Sequence, residues 1–238
     1  MCITNQFIME RISIIEGFAN AQKCEGKKVV DLLGEISLTN KGDLGGRFEN
    51  YIGIPTTRDR CDYSKYGSIE AGDCKTLKFK KGIPSECCDI IMLQEIIYEA
   101  MNNVPFRESS VYEKIQQVHF APVNRDGDKK DWTFGENFII SDYDEKWNPI
   151  YEQIEKDYNH ITERIRTLVN NGECIGATEV NQGSTVKILE IRPKGPGGGR
   201  TKNTWNGVTI TKPNAKSAYS YYFKHSGVKT IWNHYQSL

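Results

Sequence analysis

No apolar run in this 238-residue chain approaches the roughly 18 residues that a membrane helix needs. The first ten residues lack a basic stretch followed by an apolar one, so no secretory signal is expected. No CxxC spacing occurs among the 7 cysteines (Cys2, Cys24, Cys61, Cys74, Cys87, Cys88 and Cys174). Their number is odd, and adjacent Cys87 and Cys88 make poor partners for each other. These absences speak against a disulfide frame or a zinc site and favour reduced thiols in a cytoplasmic protein. Neither sign of charge is in surplus, with 31 basic and 31 acidic residues, which gives no support for a generic polyanion binder. G-x-S-x-G, P-loop and H-E-x-x-H patterns are missing, so serine-hydrolase, nucleotide-hydrolase and zinc-protease readings lack their usual signals.

What is present is an ordinary globular composition, 38% hydrophobic and 26% charged. The length suits one large domain or two intimate lobes with an ample core. Charge is segregated along the chain. Ile188 to Lys229 is rich in Lys and Arg with Glu190 its only acid, and Asp142 to Glu163 is acidic. A basic stripe on a neutral protein is what a cleft-binding nuclease would show.

Apolar spacing predicts a helix over Gln6–Asn20 and a second over Lys28–Leu33 ending at Gly34. Glycines from Gly42 to Gly46 precede a helical pattern holding Phe48 and Ile52. Ile54–Tyr66 reads as loop, Ser68–Lys80 as a strand or hairpin arm, and Pro84–Asn103 as a strand running into a helix. A short helix is expected over Ser109–Gln117, a strand over Val118–Val123, a polar turn over Asn124–Lys130 and another strand over Trp132–Ile140. Trp147–Val169 carries the clearest helical face, with Ile150, Ile154, Tyr158, Ile161, Ile165 and Leu168. Val186–Arg192 reads as a strand, Pro193–Asn203 as a Gly-rich basic loop, and Tyr219–Trp232 as a closing strand or helix. The whole reads as mixed α/β (α+β) in one unit, with neither repeat nor long linker.

The sharpest chemical constellation is Glu49, Asp62 and Asp73-Cys-Lys75. On a strand, residues i and i+2 face one side, so Asp73 and Lys75 would point into one site. Asp62 would sit on a hairpin's other arm or turn, and Glu49 on a helix beside them. Magnesium takes hard oxygen ligands, often one or two carboxylates with waters and substrate phosphate. A neighbouring Lys can hold the phosphate or orient the attacking water. Short D-x-K triplets also occur on exposed strand edges with alternating charge, so spacing alone is a weak signal.

Resemblance strengthens it. Leu44-Gly-Gly-Arg-Phe-Glu-Asn-Tyr-Ile-Gly53 resembles the metal-helix segment of the MutH family and its related GATC-reading type II restriction enzymes. Ser109-Ser-Val-Tyr-Glu-Lys-Ile-Gln-Gln-Val-His-Phe-Ala-Pro-Val123 resembles the family's segment with an auxiliary active-site lysine, which falls on Lys114. Ile188-Leu-Glu-Ile-Arg-Pro-Lys194 resembles its strand and DNA-reading loop, and Tyr221-Tyr-Phe-Lys-His-Ser226 its aromatic-basic element. The matches fall in order over roughly Gly42 to Trp232. They imply the PD-(D/E)XK restriction-endonuclease-like fold: a mixed central sheet flanked by helices, with two lobes around a DNA cleft. Over a single endonuclease domain of residues 1–238, the catalytic elements would occupy about 40–123 and the DNA-reading part about 186–232.

The resemblance also implies catalytic residues Glu49, Asp62, Asp73, Lys75 and Lys114, with Mg2+ held by Asp62, Asp73 and Glu49. Asp73 stands where the family usually has Glu. The gap from Asp62 to Asp73 is longer than usual, which leaves Glu70 as a rival first acid. In the Gly-rich loop, Arg192 and Lys194 suit guanine edges, while Arg200 and Lys202 suit phosphates. Tyr222 suits a groove probe or a packed aromatic, and Lys224 belongs to the same element.

The leading expectation is a type II restriction endonuclease. It would cut both strands of duplex DNA at a short palindrome, GATC, leaving 5′-phosphate and 3′-hydroxyl ends. Its partners would be double-stranded DNA, a second copy of the chain on that DNA and a cognate methyltransferase acting on the same site. The alternatives are a MutH-like strand-nicking repair enzyme and an inactive DNA-binding module.

Overall fold

The structure is a computed structural model that describes residues 11–37, 39, 42–55, 61–64, 68–183, 186–193, 204–206, 208–209 and 219–238. In chain order the first elements are α1 (Ile14–Gln22), α2 (Val29–Leu33), α3 (Asp43–Ile52), β1 (Asp73–Lys80), β2 (Ile83–Pro84) and β3 (Cys88–Met92). Then come α4 (Leu93–Met101), α5 (Ser110–Ile115), β4 (Gln117–Asn124), β5 (Thr133–Phe134) and β6 (Phe138–Ser141). The last are α6 (Asn148–Asn170), α7 (Ala177–Val180), β7 (Leu189–Pro193), β8 (Thr204–Trp205), β9 (Val208–Thr209), β10 (Tyr219–Phe223) and α8 (His225–Tyr235). The architecture is mixed α/β. The chain divides into two units, one of Met1–Thr76 with Gln117–Ile139, the other of Leu77–Gln116 with Ile140–Leu238.

In the first unit the apolar residues of α1, α3, β4 and β5 share one core. Leu44, Phe48 and Ile52 recur four apart along α3 and turn one face of the helix inward. Phe48 stacks on Phe134 with ring centroids 4.9 Å apart. β1 and β4 are neighbours in a sheet that continues from β4 to β5. Gly72 abuts the Gln117 carbonyl, and the Cys74 thiol lies 3.8 Å from His119, so the numbers rise together and β1 runs parallel to β4. β4 and β5 are antiparallel, which makes the sheet mixed.

The first helix is shorter than its apolar spacing predicts. Residues 11–13 are not helical, and Gln6 to Glu10 lie outside the described residues. Ser13 caps α1, its hydroxyl accepting the Glu16 N–H at 3.1 Å. Upstream of the cap, Arg11 donates to the Cys61 carbonyl at 2.9 Å, and the Ser64 N–H donates to the Ile12 carbonyl at 3.0 Å. The Ser64 bond occupies the Ile12 carbonyl, which a longer helix would need for itself, and the Arg11 side chain holds the segment against residue 61. Gly45 and Gly46 lie inside α3 rather than before it.

The strand expected over Trp132–Ile140 is two short strands. Between them the Gly135 N–H donates to the Pro122 carbonyl, and the Asn137 side chain turns inward to bond Ala21 and Glu25. Gly135 thus still bonds β4, but Pro122 has no N–H to return the bond, and by Asn137 the backbone N–H donates to Glu25 Oε1 instead of the ladder.

The second unit contains an antiparallel sheet of order β3-β10-β7. Leu189, Ile191, Tyr219, Tyr221 and Phe223 are buried. α6 packs against α4 and β7. Its 23 residues bury Ile150, Ile154, Tyr158, Ile161, Ile165 and Leu168, as their spacing predicts. Asp157, fully buried in the same helix, accepts the N–H groups of Lys187, Ile188 and Leu189 and so anchors the start of β7. Tyr219–Trp232, which the sequence leaves open between strand and helix, is both, first β10 and then α8. The described cysteines are thiols. Among the described residues no helix is long and apolar enough to cross a membrane.

Candidate active site

β1 begins the site. Asp73 and Lys75 alternate with Cys74, and the Lys75 ammonium lies 2.5 Å from Asp73 Oδ2. Asp73 is fully buried, so the ion pair offsets a desolvation cost that the carboxylate alone would carry. The Asp62 and Tyr63 N–H groups both reach the Gly72 carbonyl at 3.1 Å, which lays residues 62 and 63 alongside the start of β1. From there Asp62 Oδ2 accepts the Cys74 N–H at 2.8 Å. The rival acid, Glu70, is exposed in the turn before β1, its carbonyl accepting the Ile14 N–H.

α3 supplies the third acid. A Cβ on Gly45 would lie 3.7 Å from both Glu49 Oε1 and Thr76 Oγ1, so the helix approaches β1 beside Glu49. The three acids share an electrostatic neighbour. Burial first, then the charges of Asp62, Glu49 and Asp73, push the Cys74 thiol well above its usual range. Among the described residues, no group of three His, Cys, Asp or Glu side chains is arranged to hold a metal ion.

Behind the acids lies a buried polar chain that the sequence reading did not find. The Tyr63 hydroxyl and His119 Nδ1 are 2.5 Å apart, and His119 Nε2 is 3.0 Å from Asn137 Oδ1. Asn137 Nδ2 continues to Glu25 Oε1 at 3.1 Å. Burial lowers the His119 pKa to about 4, holding the ring neutral. Burial, with the charges of Cys74, Asp62 and Glu49, pushes the Tyr63 phenol far above its ordinary value.

The other expected residues that the structure describes belong to the second unit. Lys114 is on α5 of the second unit and is half-buried. Arg192 is the penultimate residue of β7 in the same unit. Its Nε lies 2.5 Å from Glu190 Oε1 and its Nη1 3.2 Å from Cys87 Sγ. Tyr222 pairs with Glu190 on one side and Asp89 on the other, and burial, then Asp89, pushes its pKa up to about 12. Lys224 donates to the Val186 carbonyl at 3.3 Å. Lys194, Arg200 and Lys202 fall outside the described residues.

No known family model matches the chain, and no curated protein sequence matches it. The residues and their geometry therefore carry the functional argument.

Proposed function

We propose that this chain is a Mg2+-dependent endonuclease with a PD-(D/E)XK-type site, cutting both strands of duplex DNA at a short palindrome in the manner of a type II restriction enzyme. The observation that carries the reading is the Asp73–Lys75 ion pair at the start of β1, with the Asp62 carboxylate bonded to the intervening Cys74 N–H. The donor set is hard oxygen, and magnesium is often held by only two carboxylates, with waters and substrate phosphates completing its shell. Asp62 and Asp73 would be that pair, with Glu49 the third acid nearby. When bound, the ion lowers the pKa of a coordinated water and neutralises charge on the phosphate.

The chain's own groups do the rest. Asp73, buried and paired, keeps Lys75 beside the carboxylates instead of in bulk water. The Lys75 ammonium would hold a non-bridging oxygen of the scissile phosphate or orient the attacking water. Water oxygen bonds to phosphorus, the P–O3′ bond breaks, and the ends are 5′-phosphate and 3′-hydroxyl.

Digestion of long unmethylated DNA with Mg2+ and the purified protein, followed by sequencing of the fragment ends, tests this. Double-strand ends at one recurring palindrome are expected, with GATC the first candidate from the Ile191-Arg-Pro-Lys194 run. Nicks confined to hemimethylated sites would favour the repair reading. Intact DNA that is nonetheless bound would favour an inactive binding module.

A further inference from the structure

The nuclease reading needs the Asp62 carboxylate at a fixed point beside Asp73, yet Asp62 belongs to no helix or extended strand of its own. Its neighbour Tyr63 is fully buried. The Tyr63 ring lies against Gly17 of α1, where a Cβ would come within 2.1 Å of it. The Tyr63 hydroxyl meets His119 of β4. The direction of that hydrogen bond follows from the partners beyond it. Asn137 Nδ2 donates to Glu25 Oε1 and to the Ala21 carbonyl, so Asn137 Oδ1 is left to accept from His119 Nε2–H. His119 Nδ1 is then the acceptor and the Tyr63 hydroxyl the donor. Tyr63 is thus tied by its ring to α1, by its hydroxyl to β4, and by its N–H to Gly72 just before Asp73.

We propose that Tyr63 is a positioning residue for the active site. Its hydroxyl bond to His119 fixes the backbone of Asp62, which keeps the Asp62 carboxylate on the Cys74 N–H and beside Asp73. The catalytic meaning of that hold rests on the nuclease reading; the hold itself does not. Tyr63→Phe keeps the ring on Gly17 and removes only the hydroxyl. If apolar packing alone held the segment, that change would leave Asp62 where it is.

Three readouts in the full-length protein decide it. In Tyr63→Phe, hydrogen exchange at the Cys74 amide should quicken by about tenfold, and the Mn2+ concentration for half-saturation, measured by calorimetry without DNA, should rise by about fivefold to tenfold. Cleavage in Mg2+ should fall by about tenfold while DNA affinity in Ca2+ stays at the wild-type value. His119→Leu should reproduce these changes. His119→Gln, whose amide can accept from Tyr63 and donate to Asn137, should restore wild-type behaviour. If either disruptive variant does not fold, the other decides against His119→Gln. Unchanged Cys74 exchange and unchanged Mn2+ saturation in Tyr63→Phe overturn the proposal, whatever its melting temperature. A wild-type protein that neither binds Mn2+ nor cuts DNA sinks the nuclease reading alone, and the Cys74 exchange rates then still decide whether Tyr63 holds Asp62.

Discussion

Asp73 is a fully buried carboxylate whose neighbour Lys75 keeps some contact with water. Removing one partner of such a pair is costly because the other is left charged in a dry place. Lys75→Met should therefore destabilise the fold by about 3 kcal/mol, whereas the double variant Asp73→Asn, Lys75→Met should recover most of that loss. Urea unfolding of the wild type, Lys75→Met, Asp73→Asn and the double variant measures the coupling, and additive losses would show that the two groups do not depend on each other. Each single variant and the double variant should lose at least about a hundredfold in DNA cleavage, since each removes a group that would hold the metal ion or the phosphate. His119 makes a different prediction. Its pKa is about 4 in the fold, against 6.5 for the ordinary side chain, so between those values the unfolded chain binds a proton that the native ring refuses. The stability contributed by the neutral ring is full above about pH 6.5, is lost as pH falls toward about 4, and is steady below that. The loss is on the order of 3 kcal/mol. Urea midpoints between pH 4 and 7 should show this slope in the wild type and a flatter one in His119→Gln.

At the level of elements, local pattern predicts most of what it can reach. The run from β3 into α4, the helix α5 before β4, and the long helix α6 are all legible, because each has its period or cap within its own sequence. The Ser109 cap of α5, for instance, bonds the Tyr112 N–H three residues on. What fails is what distant residues decide. The break between β5 and β6 depends on Asn137 finding Glu25 and Ala21, more than 100 positions away. The site divides the same way. The i, i+2 spacing of Asp73 and Lys75 foretells their pairing, but nothing local announces that Tyr63 meets His119 across 56 positions. Asp157 is a third case: it lies in a segment that the sequence shows only as acidic, yet it receives three consecutive backbone N–H groups from the start of β7 and a Gln153 amide at 2.7 Å. A carboxylate satisfied by several charge-assisted bonds is hard to replace. Asp157→Ala should cost about 3 kcal/mol, measured by chemical denaturation, and should quicken amide exchange at Ile188 and Leu189 before the rest of the sheet. Uniform exchange across the sheet would show that the carboxylate is not the anchor of β7.

The whole molecule carries no net charge, so any affinity for a polyanion must come from how its charges are distributed. Between Ile188 and Lys229 stand Arg192, Lys194, Arg200, Lys202, Lys212, Lys216, Lys224 and Lys229 against the single acid Glu190. Arg192 is engaged by Glu190 and Cys87, and Lys224 by the Val186 carbonyl, so these two are partly committed to the fold before any DNA arrives. If about four of the eight met phosphates, counterion release would make the binding constant fall about a hundredfold between 50 and 200 mM salt. Fluorescence anisotropy with a short duplex, in Ca2+ to permit binding without cutting, measures that slope. A duplex lacking the recognition palindrome should give a similar slope at weaker affinity, because phosphate contacts are common to both sequences while base contacts are not. A slope near zero would mean that the basic segment does not touch the backbone. It would also count against the proposal that this neutral chain recognises DNA through its C-terminal part.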